Sequence, residues 1–442
     1  MSPRLILFVA AWRLCAQQDT AIRLDVQQVL VPVVVTDRKG HHVSGLRESD
    51  FQVFEDGVRQ EIAAFSSDTA GSVDDIAALA RPAAPGSAPA AHAGPRHTFV
   101  ICIDTLHASP ANAARVREAL ENLFEKERST DAQYVLIGIG RQLQVLQAAT
   151  SSPLAILLKV RSTAFQSALG GLDAAALFTQ LQNVRTRMEE FCRRCACGTR
   201  PNQGNCDSEV DTLKQSVDAE AERWAAATNG LLEQFRKVVE ELAKLPTSRT
   251  LILVSDGFNV DPKREFYAAV SAYLPNRPQF KLDDSKTVEP GLREALRIAS
   301  ERGVIIDAVD SRSGATASVA SSGSMDASAS GGTGGGTSML GTNRSATRTG
   351  PVQSAPGPLA NPLTSDKSVS MEQLARSTGG VYSHESGDML KQLRGALADG
   401  RQYYVLAYVP KNAARDGKFR SIVVETTDKK LNIRAKSGYW AQ

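Results

Sequence analysis

The stretch of residues 97–110, HTFVICIDTLHASP, decides the fold of this chain. Its apolar block, residues 100–103, is short and continuous, which is typical of a strand buried on both faces of a parallel sheet. Asp104 follows at the carboxyl end of that strand, and Ser109 and Pro110 suit a helix N-cap and the first helical position. Because ligands of open α/β sheets bind outside the carboxyl ends of the strands, Asp104 is a candidate site residue.

Strands and helices continue to alternate after this stretch. Buried strands are predicted at residues 134–139, 250–254 and 303–309, an edge strand at 142–148 and a last strand at 380–384. The alternation predicts the α/β class, with a doubly wound, mostly parallel sheet spanning residues 97–400.

Both ends of the chain predict β structure. Residues 21–70 contain strand-like runs separated by turn signals such as Asp56-Gly57, and residues 401–442 contain three more runs. Pro32 lacks an N–H, which indicates an edge strand in the first run. Each end is close to the lower limit of about forty residues for an unassisted domain, so neither is expected to form a good core alone. We expect the two ends to pair as a small β-sandwich that contains or flanks the α/β domain.

Three further segments differ from these patterns. Residues 71–96 are rich in Ala and Pro and predict a linker. Residues 170–245 predict a helical hairpin inserted in the α/β domain, with a cysteine cluster at its tip. Residues 313–366 are rich in Ser and Gly and predict a disordered insertion, because such a composition buries too little apolar surface to fold.

The first residues and the charge balance indicate the compartment and exclude some partners. Residues 1–16 place Arg4 before an apolar run and end on the small Ala16, which predicts a signal peptide and a secreted or periplasmic protein. That run is shorter than the ~20 residues of a membrane span, so no transmembrane anchor is predicted. A net charge of +3 over 442 residues, with no basic stripe, argues against a nucleic-acid partner.

Four of the six cysteines lie close together, at Cys192, Cys195, Cys197 and Cys206. In an exported protein we expect them to form two disulfides, with three possible connectivities. A structural zinc site with four thiolates is the alternative.

Several motifs in a fixed order carry a resemblance to a known family. They are TDRKGHHVSGL, SDFQVFEDG, the strand that enters Asp104, LILVSDGF, and the closing run YYVLAYVP, DGKFRSIVV and RAKSGYW. The chain resembles von Willebrand factor type A (vWA) domain proteins, and in particular the exported vWA-related family described from acidobacteria. This resemblance implies a binding domain whose ligand edge carries Thr105, His107, Ser109 and Ser255.

The resemblance also implies a metal-ion-dependent adhesion site, which this chain has in degenerate form. Many vWA domains hold Mg²⁺ through an Asp-x-Ser-x-Ser motif, a later Thr and a second Asp. Asp104 and Asp256 match the two acidic positions, but Leu106 and Ala108 replace the two serines. The later Thr position aligns at Leu172 or at Thr163. Mg²⁺, Mn²⁺ or Ca²⁺ at Asp104 and Asp256 is therefore one prediction, and loop capping by the two carboxylates is the other.

The sequence favours a protein that binds without catalysing a reaction. No nucleophile elbow, zinc-protease helix or phosphate loop is present among its motifs. The expected function is therefore exported binding or adhesion to an unidentified protein or other macromolecule. The alternatives are a metal-dependent hydrolase or other enzyme that uses Asp104 and Asp256, and a purely structural envelope module without metal.

Overall fold

The computed structural model describes residues 28–67, 97–129, 131–169, 172–195, 206–245, 248–271, 273–274, 280, 287–312, 363–384 and 388–441. The predicted signal peptide (1–16), the linker (71–96) and most of the Ser/Gly-rich insertion (313–362) lie outside these residues. The last four positions of that insertion belong to a helix that begins at Leu363, so its predicted end is wrong by four residues.

A six-stranded, mostly parallel sheet forms the centre of the α/β part. In chain order its strands are β5 (His97–Asp104), β6 (Ala132–Ile139), β7 (Leu143–Thr150), β8 (Ser248–Ser255), β9 (Ile305–Asp310) and β10 (Tyr382–Ser383). Their order in the sheet is β10-β9-β8-β5-β6-β7, and β7 alone is antiparallel to its neighbour. The mixed α/β class and the mostly parallel sheet are confirmed and agree with a vWA-like fold. Strand β10 is shorter than the predicted 380–384.

Helices cover both faces of this sheet. In chain order they are α1 (Pro110–Lys126), α2 (Pro153–Val160), α3 (Thr163–Leu169), α4 (Leu172–Cys195), α5 (Cys206–Leu242), α6 (Lys263–Ser271), α7 (Glu289–Glu301), α8 (Leu363–Thr378) and α9 (Met389–Asp399). Alternate residues of β5 serve the two faces: Val100 and Cys102 pack with α4–α8, and Ile101 and Ile103 pack with α1, α2, α3 and α9. All eight residues of β5 are buried, as its continuous apolar block predicts.

The insertion between β7 and β8 contains the long helices α4 and α5. A disulfide joins Cys195, the last residue of α4, to Cys206, the first residue of α5, with the two Cα atoms 6.0 Å apart. Cys192 is disulfide-bonded as well. These sulfur atoms are not thiolates, so they do not form a zinc site.

Among the described helices, none is long and apolar enough to cross a membrane.

The two ends of the chain pair with each other. The strands outside the central sheet are β1 (Val29–Thr36), β2 (Phe51–Glu55), β3 (Val58–Gln60), β4 (Ile62–Ser67), β11 (Tyr404–Tyr408), β12 (Phe419–Thr426), β13 (Asn432–Ala435) and β14 (Gly438–Trp440). They form two four-stranded sheets, β13-β1-β11-β4 and β14-β12-β2-β3, each of which mixes strands from both ends. One apolar core contains buried residues of both sheets, including Val31, Val53 and Leu406.

The edge position expected from Pro32 is wrong for strand β1 as a whole. Strand β1 lies between β11 and β13. Pairing with β11 spans residues 29–33, whereas pairing with β13 begins only at Val33. Pro32 therefore occupies a part of the strand that has a neighbour on one side alone, and its missing N–H breaks no ladder bond on the other side.

Candidate binding site at the carboxyl ends of the strands

Asp104 ends β5 and is almost completely buried, at 1% exposure. Its Oδ1 accepts backbone N–H bonds from Leu106 (2.9 Å) and His107 (3.0 Å). Its Oδ2 accepts a hydrogen bond of 2.6 Å from the Ser255 hydroxyl and lies 2.8 Å from His107 Nδ1. The carboxylate therefore ties the loop after β5 to the end of β8.

His107 connects this carboxylate to the helical insertion. Its Nε2 lies 3.1 Å from Oγ1 of Thr228, a fully buried residue of α5. Its ring meets Trp224 of α5 edge-on at 5.4 Å and packs at 5.5 Å against Phe258, which follows β8. Helix α5 of the insertion therefore packs against the loop that follows Asp104.

Asp256 ties together a second set of segments. Its Oδ2 accepts hydrogen bonds from the Ser109 backbone N–H (3.0 Å) and from Nδ2 of Asn112 (2.7 Å), both at the start of α1. Its Oδ1 accepts a hydrogen bond from the hydroxyl of Ser311, just after β9. One carboxylate thus holds the ends of β8 and β9 and the first turn of α1 together.

The two carboxyls have pKa values shifted in opposite directions. Burial alone would raise the pKa of Asp104, but the charge and hydrogen bonds of His107, with the hydrogen bond from Ser255, hold it below its ordinary value. Burial raises the pKa of Asp256, and hydrogen bonds from Ser311, Ser109 and Asn112 only partly oppose that rise. The negative charge of Asp104 also raises the pKa of Asp256.

The hydroxyl groups expected near the aspartates have other partners. Thr105 donates its hydroxyl to the carbonyl of Ile139 at 3.1 Å, and Ser109 is the N-cap of α1, where its Oγ accepts the N–H of Asn112 at 3.2 Å. Thr163 is exposed at the start of α3. Leu172 is the first residue of α4. Leu106 and Ala108, at the two serine positions, are buried apolar residues.

These residues do not fit a divalent cation as they are arranged here. Such a cation needs carboxylate or hydroxyl oxygens free to approach within about 2.0–2.6 Å. Instead, both oxygens of Asp104 and both of Asp256 accept hydrogen bonds from protein groups. Among the described residues, no group of three or more His, Cys, Asp or Glu side chains is arranged to hold a metal. We therefore derive no chemistry that passes through a metal at this edge.

Sequence patterns identified Asp104, His107, Ser109, Ser255 and Asp256, and the structure brings all five into one connected set of contacts. Those patterns missed Asn112, Thr228 and Ser311. Thr228 lies four residues after Trp224 and three before Leu231, on the apolar stripe of α5, so the helical spacing could have located it. Asn112 and Ser311 gave no comparable signal, because a polar residue after a strand or in a first helical turn is common.

Comparison with known proteins adds little at the level of sequence. No family model matches the chain, and no curated protein matches it. Among solved structures, the chain is similar to the conserved hypothetical protein BatB from Bacteroides thetaiotaomicron, at 10% identity and a TM-score of 0.28 over 69% of this chain and 98% of that one. It is also similar to an aerotolerance-related membrane protein from Bacteroides fragilis, at 9% identity and a TM-score of 0.30 over 69% and 99%. Human COPII-coat protein Sec24c matches at 10% identity and a TM-score of 0.25 over 79% of this chain and 44% of that one.

Proposed function

We propose that this chain is a non-catalytic binding protein with a vWA-like domain, which takes a macromolecular partner at the carboxyl ends of its parallel strands. We call this region the strand-end face; it is the edge of the sheet that follows Asp104, Ile139, Ser255 and Asp310, the last residues of β5, β6, β8 and β9. Ligands of open α/β sheets bind at this edge. The observation that carries the proposal is that the two buried aspartates, Asp104 and Asp256, each accept hydrogen bonds from several loop groups, because these bonds fix the loops of this face without leaving a reactive group free.

The contacts of Asp104 and Asp256 hold the loops of the strand-end face in place, and this favours binding of a partner by those loops. Asp104 and Asp256 together connect the ends of three strands, the start of α1 and, through His107, the insertion helix α5. A surface whose loops are already held in place loses less conformational freedom when a partner binds. The degenerate metal motif then acts as a framework that does not need a cation, and the contacts with the partner come from exposed residues around it.

A hydrolase is the second candidate, because one contact chain has the right chemical order. Asp104, His107 and Thr228 place a carboxylate, an imidazole and a hydroxyl in sequence, at 2.8 Å and 3.1 Å. This is the order of a hydrolytic triad. The Thr228 hydroxyl, however, belongs to a residue with 0% exposure inside a helix, so a substrate has no access to it. We therefore assign this chain of contacts to stability.

The cysteines support an exported location. The disulfide between Cys195 and Cys206 forms and persists in oxidising surroundings. Together with the signal peptide predicted at residues 1–16, it supports a secreted or periplasmic location. This location in turn suggests an envelope or extracellular macromolecule as the partner.

Photo-cross-linking at two matched positions tests the proposal. A photoreactive residue replaces either Gln142, exposed in the loop after β6, or Arg128, exposed in the loop before β6 at the opposite end of the same strand. With an envelope fraction of the producing organism, we expect a discrete adduct from position 142, suppressed by excess unlabelled protein, and none from position 128. Equal labelling at both positions, or none at either, would contradict the proposal and favour a structural module. Ester turnover that Thr228→Val abolishes would favour the hydrolase.

A further inference from the structure

A cavity of about 500 Å³ lies between α9 and the β9–β10 edge of the central sheet. Its walls include Asp307, Tyr382, His384, Lys391, Gln392 and Asp399. Its volume falls in the range of about 300–1,000 Å³ that is typical of small-molecule sites. None of these six residues contacts Asp104 or Asp256, so a ligand in this cavity would not depend on those two carboxylates.

Asp307 is the unusual residue of this cavity. It lies in the middle of β9 with only 1% exposure, on the face of the sheet that otherwise packs apolar residues against α9. Its Oδ1 accepts the N–H of Val381 at 2.8 Å. Its Oδ2 has no hydrogen-bond partner among the described residues. A buried carboxylate oxygen without a donor costs free energy, so the position calls for a donor from outside the chain.

The second carboxylate near the cavity is already satisfied. Asp399 lies 2.7 Å from Nε2 of His42 and accepts a hydrogen bond of 2.5 Å from Arg434. Both partners come from the two-sheet β part, so Asp399 serves the junction between that part and α9. Asp307 is left as the carboxylate of the cavity wall with an oxygen that has no partner among the described residues. Burial, reinforced by the negative charge of Asp399, raises the pKa of Asp307 to about 7.

The remaining walls suit a flat or compact cation. The rings of Tyr382 and His384 stack on each other with centroids 4.7 Å apart. Aromatic rings attract cations over their faces, and Arg-type guanidinium groups stack on them readily. Lys391 is exposed at α9, where solvent screens its charge.

We propose that this cavity binds a small organic cation with N–H donors, a guanidinium or primary amine, and that Asp307 Oδ2 is the acceptor. The ligand would supply both the hydrogen bond and the positive charge that the buried carboxylate lacks. A quaternary ammonium ion has the charge without the donor and should bind much more weakly. The guanidinium group could belong to a free metabolite or to an arginine side chain of a peptide.

Isothermal titration calorimetry on the full chain tests this proposal. The probes are agmatine as a free cation, N-acetyl-arginine amide as a peptide mimic, and tetramethylammonium as a cation without donors. We expect heat of binding from the first or second probe, whichever source is correct, and none from the third. If neither guanidinium probe gives heat of binding at a concentration tenfold above a Kd of about 1 mM, the proposal is overturned.

Two variants locate the site. Asp307→Asn keeps the oxygen that accepts from Val381 and removes the charge, so we expect at least about tenfold weaker binding. The matched control is Asp211→Asn, an exposed position on α5, which should bind as the unmodified chain does. Equal affinity in both variants would place the ligand elsewhere and overturn the proposal.

A third variant keeps the test decisive if Asp307→Asn fails to fold. Gly395 lines the cavity from α9, and a Cβ built there meets no atom within 4 Å. Gly395→Leu therefore extends a side chain into open space and raises helix propensity. We expect a folded protein that no longer binds the guanidinium probe. A folded Gly395→Leu protein that binds it with unchanged affinity would contradict the proposal.

Discussion

His107 Nδ1 lies 2.8 Å from Asp104 Oδ2, and each side chain is only 1% exposed. This contact joins the end of the central strand β5 to the insertion helix α5, because the other ring nitrogen of His107 reaches Thr228. The residue that the sequence marks as a ligand-binding aspartate is therefore held inside the protein, and its measurable role should be stability.

Replacement of this aspartate should be costly. Asp104→Ala removes the acceptor for two backbone N–H groups, Ser255 and His107, so we expect a loss of about 3–5 kcal/mol in the free energy of unfolding, measured by urea denaturation. Asp211→Ala, at an exposed position, should change it by less than about 0.5 kcal/mol. A loss below about 1 kcal/mol for Asp104→Ala would show that these contacts do not hold the fold.

Divalent cations should leave the stability unchanged. The oxygens of Asp104 and Asp256 already accept protein hydrogen bonds, so Mg²⁺, Mn²⁺ or Ca²⁺ at millimolar concentration should move the melting temperature by less than about 1 °C relative to EDTA. Differential scanning fluorimetry measures this directly. A rise of several degrees that disappears in Asp104→Asn would establish the metal site instead.

The junction between the β part and α7 should give the stability a pH dependence. Burial lowers the pKa of Lys436 from 10.5 to about 7, although the negative charges of Glu301 and Glu55 act in the opposite direction. Its Nζ donates to the Ser300 carbonyl at 3.3 Å and lies 5.7 Å from the Tyr439 ring centroid.

The sign of this dependence is set by proton binding. Above pH 7 the unfolded chain still binds the Lys436 proton and the folded chain does not, so stability should rise with pH, at up to about 1.4 kcal/mol per pH unit. Below pH 7 both states are protonated and this dependence vanishes. Urea denaturation between pH 7 and pH 9 should show the rise in the unmodified chain and a flatter profile in Lys436→Met. Identical slopes in both proteins would exclude Lys436 as its source.

The turn after Asp256 should tolerate only glycine. Gly257 has a φ of +75°, and a Cβ there would lie 2.5 Å from the Lys367 carbonyl oxygen. Gly257→Ala should therefore lower the free energy of unfolding by at least about 2 kcal/mol, since strain and a backbone clash add. Gly395→Ala in α9, where a Cβ meets nothing within 4 Å, should raise it by about 0.5–1 kcal/mol. Equal effects of the two substitutions in urea denaturation would contradict this expectation.

Local sequence patterns were sufficient for the architecture of the α/β part. Continuous apolar blocks such as residues 100–103 predicted buried parallel strands, and the residue after each block predicted which carboxylates stand at the ends of strands. Pro32 shows where a local rule failed, because a missing N–H matters only at the positions where a second strand actually pairs. Strand β10 is shorter than predicted, because only two of its residues, Tyr382 and Ser383, pair with β9.

The sequence by itself determined that Asp104 and Asp256 lie at the same edge of a parallel sheet, because the chain direction and the apolar periodicity fix where each strand ends. Only the tertiary structure decided what those carboxylates do. Thr228 is 121 residues from His107, and Ser255 is 151 residues from Asp104. Whether a carboxylate is free to bind a ligand depends on which donors lie within about 3 Å of its oxygens, and those donors come from segments that local pattern does not bring together.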